Sequence, residues 1–292
     1  MPIFYPDILE QASAPYTFTY RERDVMLYAL GIGLGADPLD ERELPFVYEK
    51  ALKVVPTAAT MLSIGGSVSR LSPEVPEGLR LSTFDLVKLL HGEQAVVLHR
   101  PLPPSGTFTV TSRTVGAYDK GAGKGAVVVN ESCWTDDEGV QVATLTSSVF
   151  ARGDGGFGGP SIRPPEPHVR PDRAPDLSVD ISTRPDQALL YRLNGDYNPL
   201  HADPALASRA GFPKPILHGL CTYGLTCRAV LEAIVDYDSD AILSHQVRFS
   251  SPVFPGELVT VDFWRDGSVI SFEARVKERD VVVVRNGKTV LR

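Results

Sequence analysis

"PILHGLCTYGLTCRAVLEAIVDY", residues Pro215 to Tyr237, is the stretch on which the fold turns. From the His218-Gly219 pair onward it reads as helix. Leu220, Tyr223, Leu225, Val230, Leu231 and Ile234 then spread apolar side chains around nearly the whole circumference. A helix with no polar face has nothing to show to water and must be buried. Something has to wrap it.

The wrapper follows directly. "HQVRFSSPVFPGELVTVDFWRDGSVISFEARVKERDVVVVRNGKTVLR", from His245 to Arg292, alternates apolar and polar residues, and Arg265-Asp266-Gly267 and Asn286-Gly287 read as hairpin turns that tolerate positive φ. The first half carries a matching meander, Ser105 to Gly153, with turns at Lys120–Gly125 and Asp136–Gly139. Ahead of it stand two shorter helical runs, "YRERDVMLYALGIG" (Tyr20–Gly33) and "VVPTAATMLSIGG" (Val54–Gly66). The predicted fold class is α+β, a double hot-dog in which each half is a curved antiparallel sheet wrapped on a helix. Between the halves, "RGDGGFGGPSIRPPEPHVRPDRAPDLSVDISTRP" (Arg152–Pro185) is dense in Gly and Pro without apolar periodicity, so it reads as an extended linker. The expected division is an N-terminal domain over 1–152, a linker over 153–180 and a C-terminal domain over 181–292.

Composition narrows the function. At 292 residues the chain has room for two ordinary domains, and 43% hydrophobic with 22% charged residues excludes a disordered chain. A net charge of -7 excludes nucleic-acid binding by bulk electrostatics while leaving room for a local basic pocket. Cys133, Cys221 and Cys227 lack paired spacing, which fits a reducing compartment without a disulfide framework. Cys221 and Cys227 read as buried packing thiols. No apolar run reaches the roughly 18 residues of a membrane span. "MPIFYPDILEQASAP" lacks the regions of a signal peptide, and the closing "TVLR" is not a tripeptide of the S-K-L kind. The expectation is a cytoplasmic protein with no membrane partner.

Just before the helix lies "YRLNGDYNPLHADPALA" (Tyr191–Ala207). Asn194-Gly195-Asp196 and Asn198-Pro199 are successive turn signals, so Asp196, Asn198 and His201 are presented from irregular backbone. Asp203 followed by Pro204 reads as the N-cap and first residue of a short helix, a structural role. His201, Asp203 and His218 match no usual metal-ligand spacing, and no metal is expected.

This segment resembles the signature of hydratase 2, the (R)-specific enoyl-CoA hydratases of the MaoC-like dehydratase family, in Tyr191, Leu193, Gly195, Asp196, Asn198, Pro199, Leu200, His201 and Ala207. Asn194 departs from the small residue usual before Gly-Asp. The resemblance extends through "AGFPKPILHGL" and "VRFSSPVFPGELV". In the first half, "YRERDVMLYALGIG", "VVPTAATML" and "LLHGEQ" look like the substrate-side domain of the two-hot-dog members.

The resemblance implies reversible addition of water to a trans-2-enoyl-CoA in fatty-acid metabolism, with no cofactor and the CoA thioester as substrate. His201 and Asp196 would hold one water as base and acidic partner, and Asn198 would orient it. The Gly219 N–H, at a helix start where N–H groups have no intrahelical partner, would receive the thioester oxygen. Substrate contacts are expected from His91, Gly92, Lys120, Tyr197, Pro199, Leu200 and Phe249, with Lys124 and Arg248 as further phosphate partners. His91-Gly92 echoes His218-Gly219 in a half with no second Gly-Asp-x-Asn-Pro loop, so one active site per chain is expected. His218 reads as a packing residue beside the catalytic groups. The short helical runs of the first half suggest space for a long or bulky acyl group. A homodimer of such chains is expected. Two other classes remain open on sequence alone: a hot-dog acyl-CoA thioesterase and a non-catalytic acyl-CoA-binding module. The direction of reaction and the choice between CoA and acyl carrier protein also stay open.

Overall fold

The computed structural model describes residues 3–64, 73–74, 84, 89–162 and 166–292. The strands are β1 (Ala12–Ser13), β2 (Tyr16–Tyr20), β3 (Pro73–Glu74), β4 (Leu89–Leu98), β5 (Gly106–Asp119), β6 (Ala126–Thr135), β7 (Gln141–Ala151), β8 (Leu177–Ser182), β9 (Ile242–Phe249), β10 (Leu258–Asp266), β11 (Val269–Val276) and β12 (Val281–Leu291). The α-helices are α1 (Glu22–Gly31), α2 (Leu44–Val47), α3 (Ala59–Leu62), α4 (Gln187–Tyr191), α5 (Pro204–Arg209) and α6 (Gly219–Ala233).

The decisive helix forms where expected. In α6, Leu220 through Cys227 and Ala229 through Leu231 are buried, and the helix packs on β4, β8, β9 and the 3-10 turn Pro56–Ala58. The two meanders meet edge to edge. Among the described residues the order β3-β1-β5-β6-β7-β4-β9-β12-β11-β10-β8 forms one sheet, with β2 on β5. The junction is the antiparallel pair β4–β9, in register from Glu93↔Arg248 to Val97↔Ser244. One apolar cluster runs through both halves, from Phe18, Phe108 and Trp134 to Tyr223, Phe263 and Phe272. The α+β double hot-dog is therefore realised as two sheets fused into one.

The halves are also tied below the sheet. The Gln187 side chain donates to the Gly31 carbonyl at 2.7 Å. Glu43 accepts from the Gly35 N–H at 2.7 Å and from Arg228 of α6 at 3.0 Å, with both charged side chains largely buried.

Three local expectations are revised. β8 starts at Leu177, inside the segment 153–180 read as linker, and pairs with β10 from Leu258↔Ser182 to Phe263↔Leu177. Its short "LSVDIS" alternation was hidden by the prolines around it. Ahead of β8 the segment lies on the same sheet: the Trp264 indole donates to the Arg173 carbonyl and His168 bonds Ser271. Second, Asn286-Gly287 is a bulge within β12, not a hairpin turn. Asn286 sits at φ 55°, and the register against β9 shifts between Arg285 and Lys288. The reversal between β11 and β12 occurs earlier, at Lys277–Asp280. Third, "VVPTAATMLSIGG" makes a 3-10 turn and the four-residue α3 over its described part, with Gly65 and Gly66 outside the described residues.

Removing one partner of a buried ion pair strands the other charge at a cost of about 3 kcal/mol or more. Arg228→Met should therefore lower the unfolding free energy by about 3 kcal/mol. Urea denaturation reads this directly, and a loss below about 1 kcal/mol would mean Glu43 finds other compensation.

Candidate active site

The Tyr191–Ala207 segment is held by a relay of side-chain caps. After α4 a 3-10 turn ends at Gly195, whose φ of 119° lies in the left-handed region. An Asp196 carboxylate oxygen accepts the Asn198 N–H at 3.2 Å, and the Asn198 carboxamide oxygen accepts the Leu200 N–H at 3.0 Å. Asp203 then caps α5, accepting from Ala205 at 2.8 Å and Leu206 at 3.3 Å. Each short polar side chain bonds backbone two residues on, which is why this composition folds as tight irregular backbone.

The result aims His201 inward. His201 is buried, and its Nδ1–H donates to the Ile216 carbonyl at 2.9 Å, leaving the Nε2 lone pair as an acceptor. His218 donates from Nε2–H to the Asp196 carbonyl at 3.2 Å. Its ring stacks on His201, centroids 3.7 Å apart and planes 26° from parallel. Asp196, His201 and His218 place one N or O atom each within 4.8 Å of the others. Planes so nearly parallel send their lone pairs side by side rather than to a common point. That suits a water shared by one imidazole and the carboxylate better than an ion held by both rings.

The first half supplies one wall. His91, at the start of β4, packs edge-on against Phe249 of β9 with centroids 5.0 Å apart. The Phe249 ring in turn lies 3.6–3.7 Å from where a Cβ on Gly219 would stand. Gly219 is the first residue of α6, so its N–H has no intrahelical acceptor and lies beside that wall. Gly92 lies at a β4 register shift, not at a helix start, so the two His-Gly pairs converge in space without sharing a local structure.

Burial sets the charge state of these rings. It pushes His201 below the ordinary imidazole value, against the opposing pull of the Ile216 bond and Asp196. His91 is pushed down to about 4 by burial, with a bond from Gln94 and the Asp196 charge acting the other way. His218 is pushed down to about 4 by burial and then by the neighbouring His201. In the core of the second half, burial takes His245 down to about 3 while its nitrogens bond Thr226 and Thr289.

Asp196, His201, Gly219, His91 and Phe249 are thus gathered around one point. Asn198, Tyr197 and Pro199 are exposed on the loop, with Leu200 half-buried, Arg192 over the Tyr197 ring and the Asn198 oxygen committed to its turn. Lys120 is not brought to the imidazoles. Its ammonium donates to the Ser161 carbonyl at 2.7 Å, at the same sheet end as His91 but across β6 and β7. The stacking of His218 on His201 was not foreseen; the only sequence signal for it was the position of His218 directly before the helix.

Two family descriptions match the chain: an MFE-2 hydratase 2 N-terminal domain over residues 18–153 and a MaoC like domain over residues 167–287. An enoyl-CoA hydratase of Mycobacterium tuberculosis is 41% identical over 98% of this chain and 98% of its own. The peroxisomal enoyl-CoA hydratase 2 of Arabidopsis thaliana is 38% identical over 96% of this chain and 94% of its own. The crystal structure of a MaoC-like dehydratase from Phytophthora capsici superposes with a TM-score of 0.87 at 37% identity, covering 99% of both chains.

Four imidazoles held neutral in the fold regain their ordinary affinity, near pH 6.5, when unfolded. The unfolded chain then binds more protons below that pH, so stability should fall steadily as pH drops from about 7 toward 4. Urea midpoints at pH 7.5, 6 and 5 test this; a midpoint that holds or rises on acidification would contradict it.

Proposed function

Because this chain belongs to the MaoC-like hydratase 2 family, we propose that it adds water reversibly to trans-2-enoyl-CoA thioesters, giving (3R)-hydroxyacyl-CoA. The observation that carries the reading is the bare Nε2 of a neutral, buried His201 beside the Asp196 carboxylate, with Gly219 at the head of α6 close by. The water O–H bond breaks toward His201 as the water oxygen bonds C3. The C2=C3 electrons move toward the thioester oxygen, where the Gly219 N–H meets the developing charge. Collapse of that charge returns a proton from the Asp196/His201 pair to C2. Water, thioester and protein groups balance this step, so no cofactor is required. Asn198 would contribute through its NH2 alone, since its oxygen serves the turn.

In this reading the C-terminal domain, whose sheet begins with β8 at Leu177, is catalytic and the N-terminal domain over 1–152 binds acyl-CoA. His91, Gly92 and Phe249 wall the thioester; Tyr197, Pro199 and Leu200 form the rim; Lys120 meets CoA phosphate by releasing Ser161. Among the described residues, the first half has no counterpart to the 15-residue α6, in keeping with room for a long or bulky acyl chain. We further propose a cytoplasmic homodimer. No helix among the described residues is long and apolar enough to cross a membrane.

The test is loss of enoyl absorbance on crotonyl-CoA and a longer trans-2-enoyl-CoA, with product configuration and free thiol read in parallel. Asp196→Asn and His201→Ala should each lower kcat/KM by about 10²- to 10⁴-fold while the fold is kept. Thiol release without hydration would make the protein a thioesterase and overturn the proposal; binding without turnover would make it a carrier of acyl-CoA.

A further inference from the structure

His218 takes no part in the chemistry above, yet it touches the Asp196 loop, the His201 ring and the start of α6. Its Nε2–H fastens the carbonyl of Asp196, its ring lies on His201 and its backbone is the N-cap of α6, immediately before Gly219. Its own carbonyl accepts the N–H groups of Cys221 at 3.0 Å and Thr222 at 3.1 Å, closing the first helical turn. The side chain is 1% exposed, and its Nδ1 is buried without a partner. An unpaired buried polar atom costs about 1–3 kcal/mol. Packing alone would be served better by an apolar residue, so the ring's polar edge and flat face point to a task.

We propose that His218 is a positioning residue: it locks the Asp196 loop, the His201 ring and the first N–H of α6 into one register. By covering one face of His201 it also keeps that imidazole unprotonated as the base. This rests on the hydratase reading and adds to it how the base is kept ready. The titratable and charged groups facing His218 are Asp196 and Arg192 from the loop, His201 on its stacked face and Tyr191, whose ring lies 5.0 Å away. Asp196 favours a proton on His218, whereas burial, His201 and Arg192 oppose it. A neutral, water-excluding ring is thus what His201 rests against.

The test titrates the six histidines of the isotope-labelled full chain by NMR, with His201 identified from a His201→Asn variant. In His218→Ala the cover is gone, and the proton affinity of His201 should rise at least about tenfold, one pKa unit. In turnover, kcat should fall with KM within about twofold, and the acid-side inflection of kcat should move to higher pH. His218→Gln restores a donor for the Asp196 carbonyl without the ring. It should recover much of kcat while His201 still titrates above the wild-type position. An unchanged His201 titration in His218→Ala overturns the proposal, and if that variant does not fold, an unchanged titration in His218→Gln does so. The titration needs no turnover. A wild-type chain that fails to hydrate enoyl-CoA would therefore sink the hydratase reading on its own, whatever the NMR shows.

Discussion

The β4–β9 ladder is the interaction on which the rest of the molecule depends. Five residue pairs, from Glu93↔Arg248 to Val97↔Ser244, join two curved sheets along edges that would otherwise carry unpaired N–H and C=O groups. Once they are joined, the apolar helix α6 is covered by strands from both halves and by the turn at Pro56–Ala58. The buried Glu43–Arg228 pair and the Gln187–Gly31 bond fall into place beneath. The same ladder brings His91 on one strand against Phe249 on the other, beside the start of α6. Fold and site are two results of one edge pairing.

What the site does chemically follows from exclusion of water more than from charge. His201 has its Nδ1–H spoken for by a carbonyl, so its tautomer is set before any substrate arrives. Burial does the rest by disfavouring the imidazolium in His201, His218 and His91 alike. Asp196 pulls each of them the other way, and burial outweighs that pull in all three. Preorganisation here means neutral rings stacked at contact distance, with caps from Asp196, Asn198 and Asp203 stiffening the loop that carries them.

Much of this was legible in the residues because local rules and tertiary needs agreed. A run apolar around nearly its whole circumference reads as a buried helix, and Asp203-Pro204 reads as the opening of a short one. Where the two disagreed, the reading failed in definable ways. Asn286-Gly287 has the chemistry of a hairpin turn, yet the chain spends that positive φ on a bulge that lays Gly287 against the Phe272 ring. β8 is six residues of weak alternation among prolines, and only the free edge of β10 makes it a strand. His91, more than a hundred residues before Asp196, was named through the family resemblance alone, since no periodicity announces a placement made through strand order.

The edge ladder also changes what the covering segment between the halves is for. Residues 166–176 lie along the second sheet, fastened through His168, Arg173 and Trp264, while the halves are held by β4–β9 and the bonds beneath it. Peptide continuity across this segment is therefore redundant with the fold: a single proteolytic nick there would leave two fragments clasped as one particle. The polypeptide link sets the ratio of the two halves at one to one and raises their effective concentration during folding, and once the ladder has closed it has little left to hold.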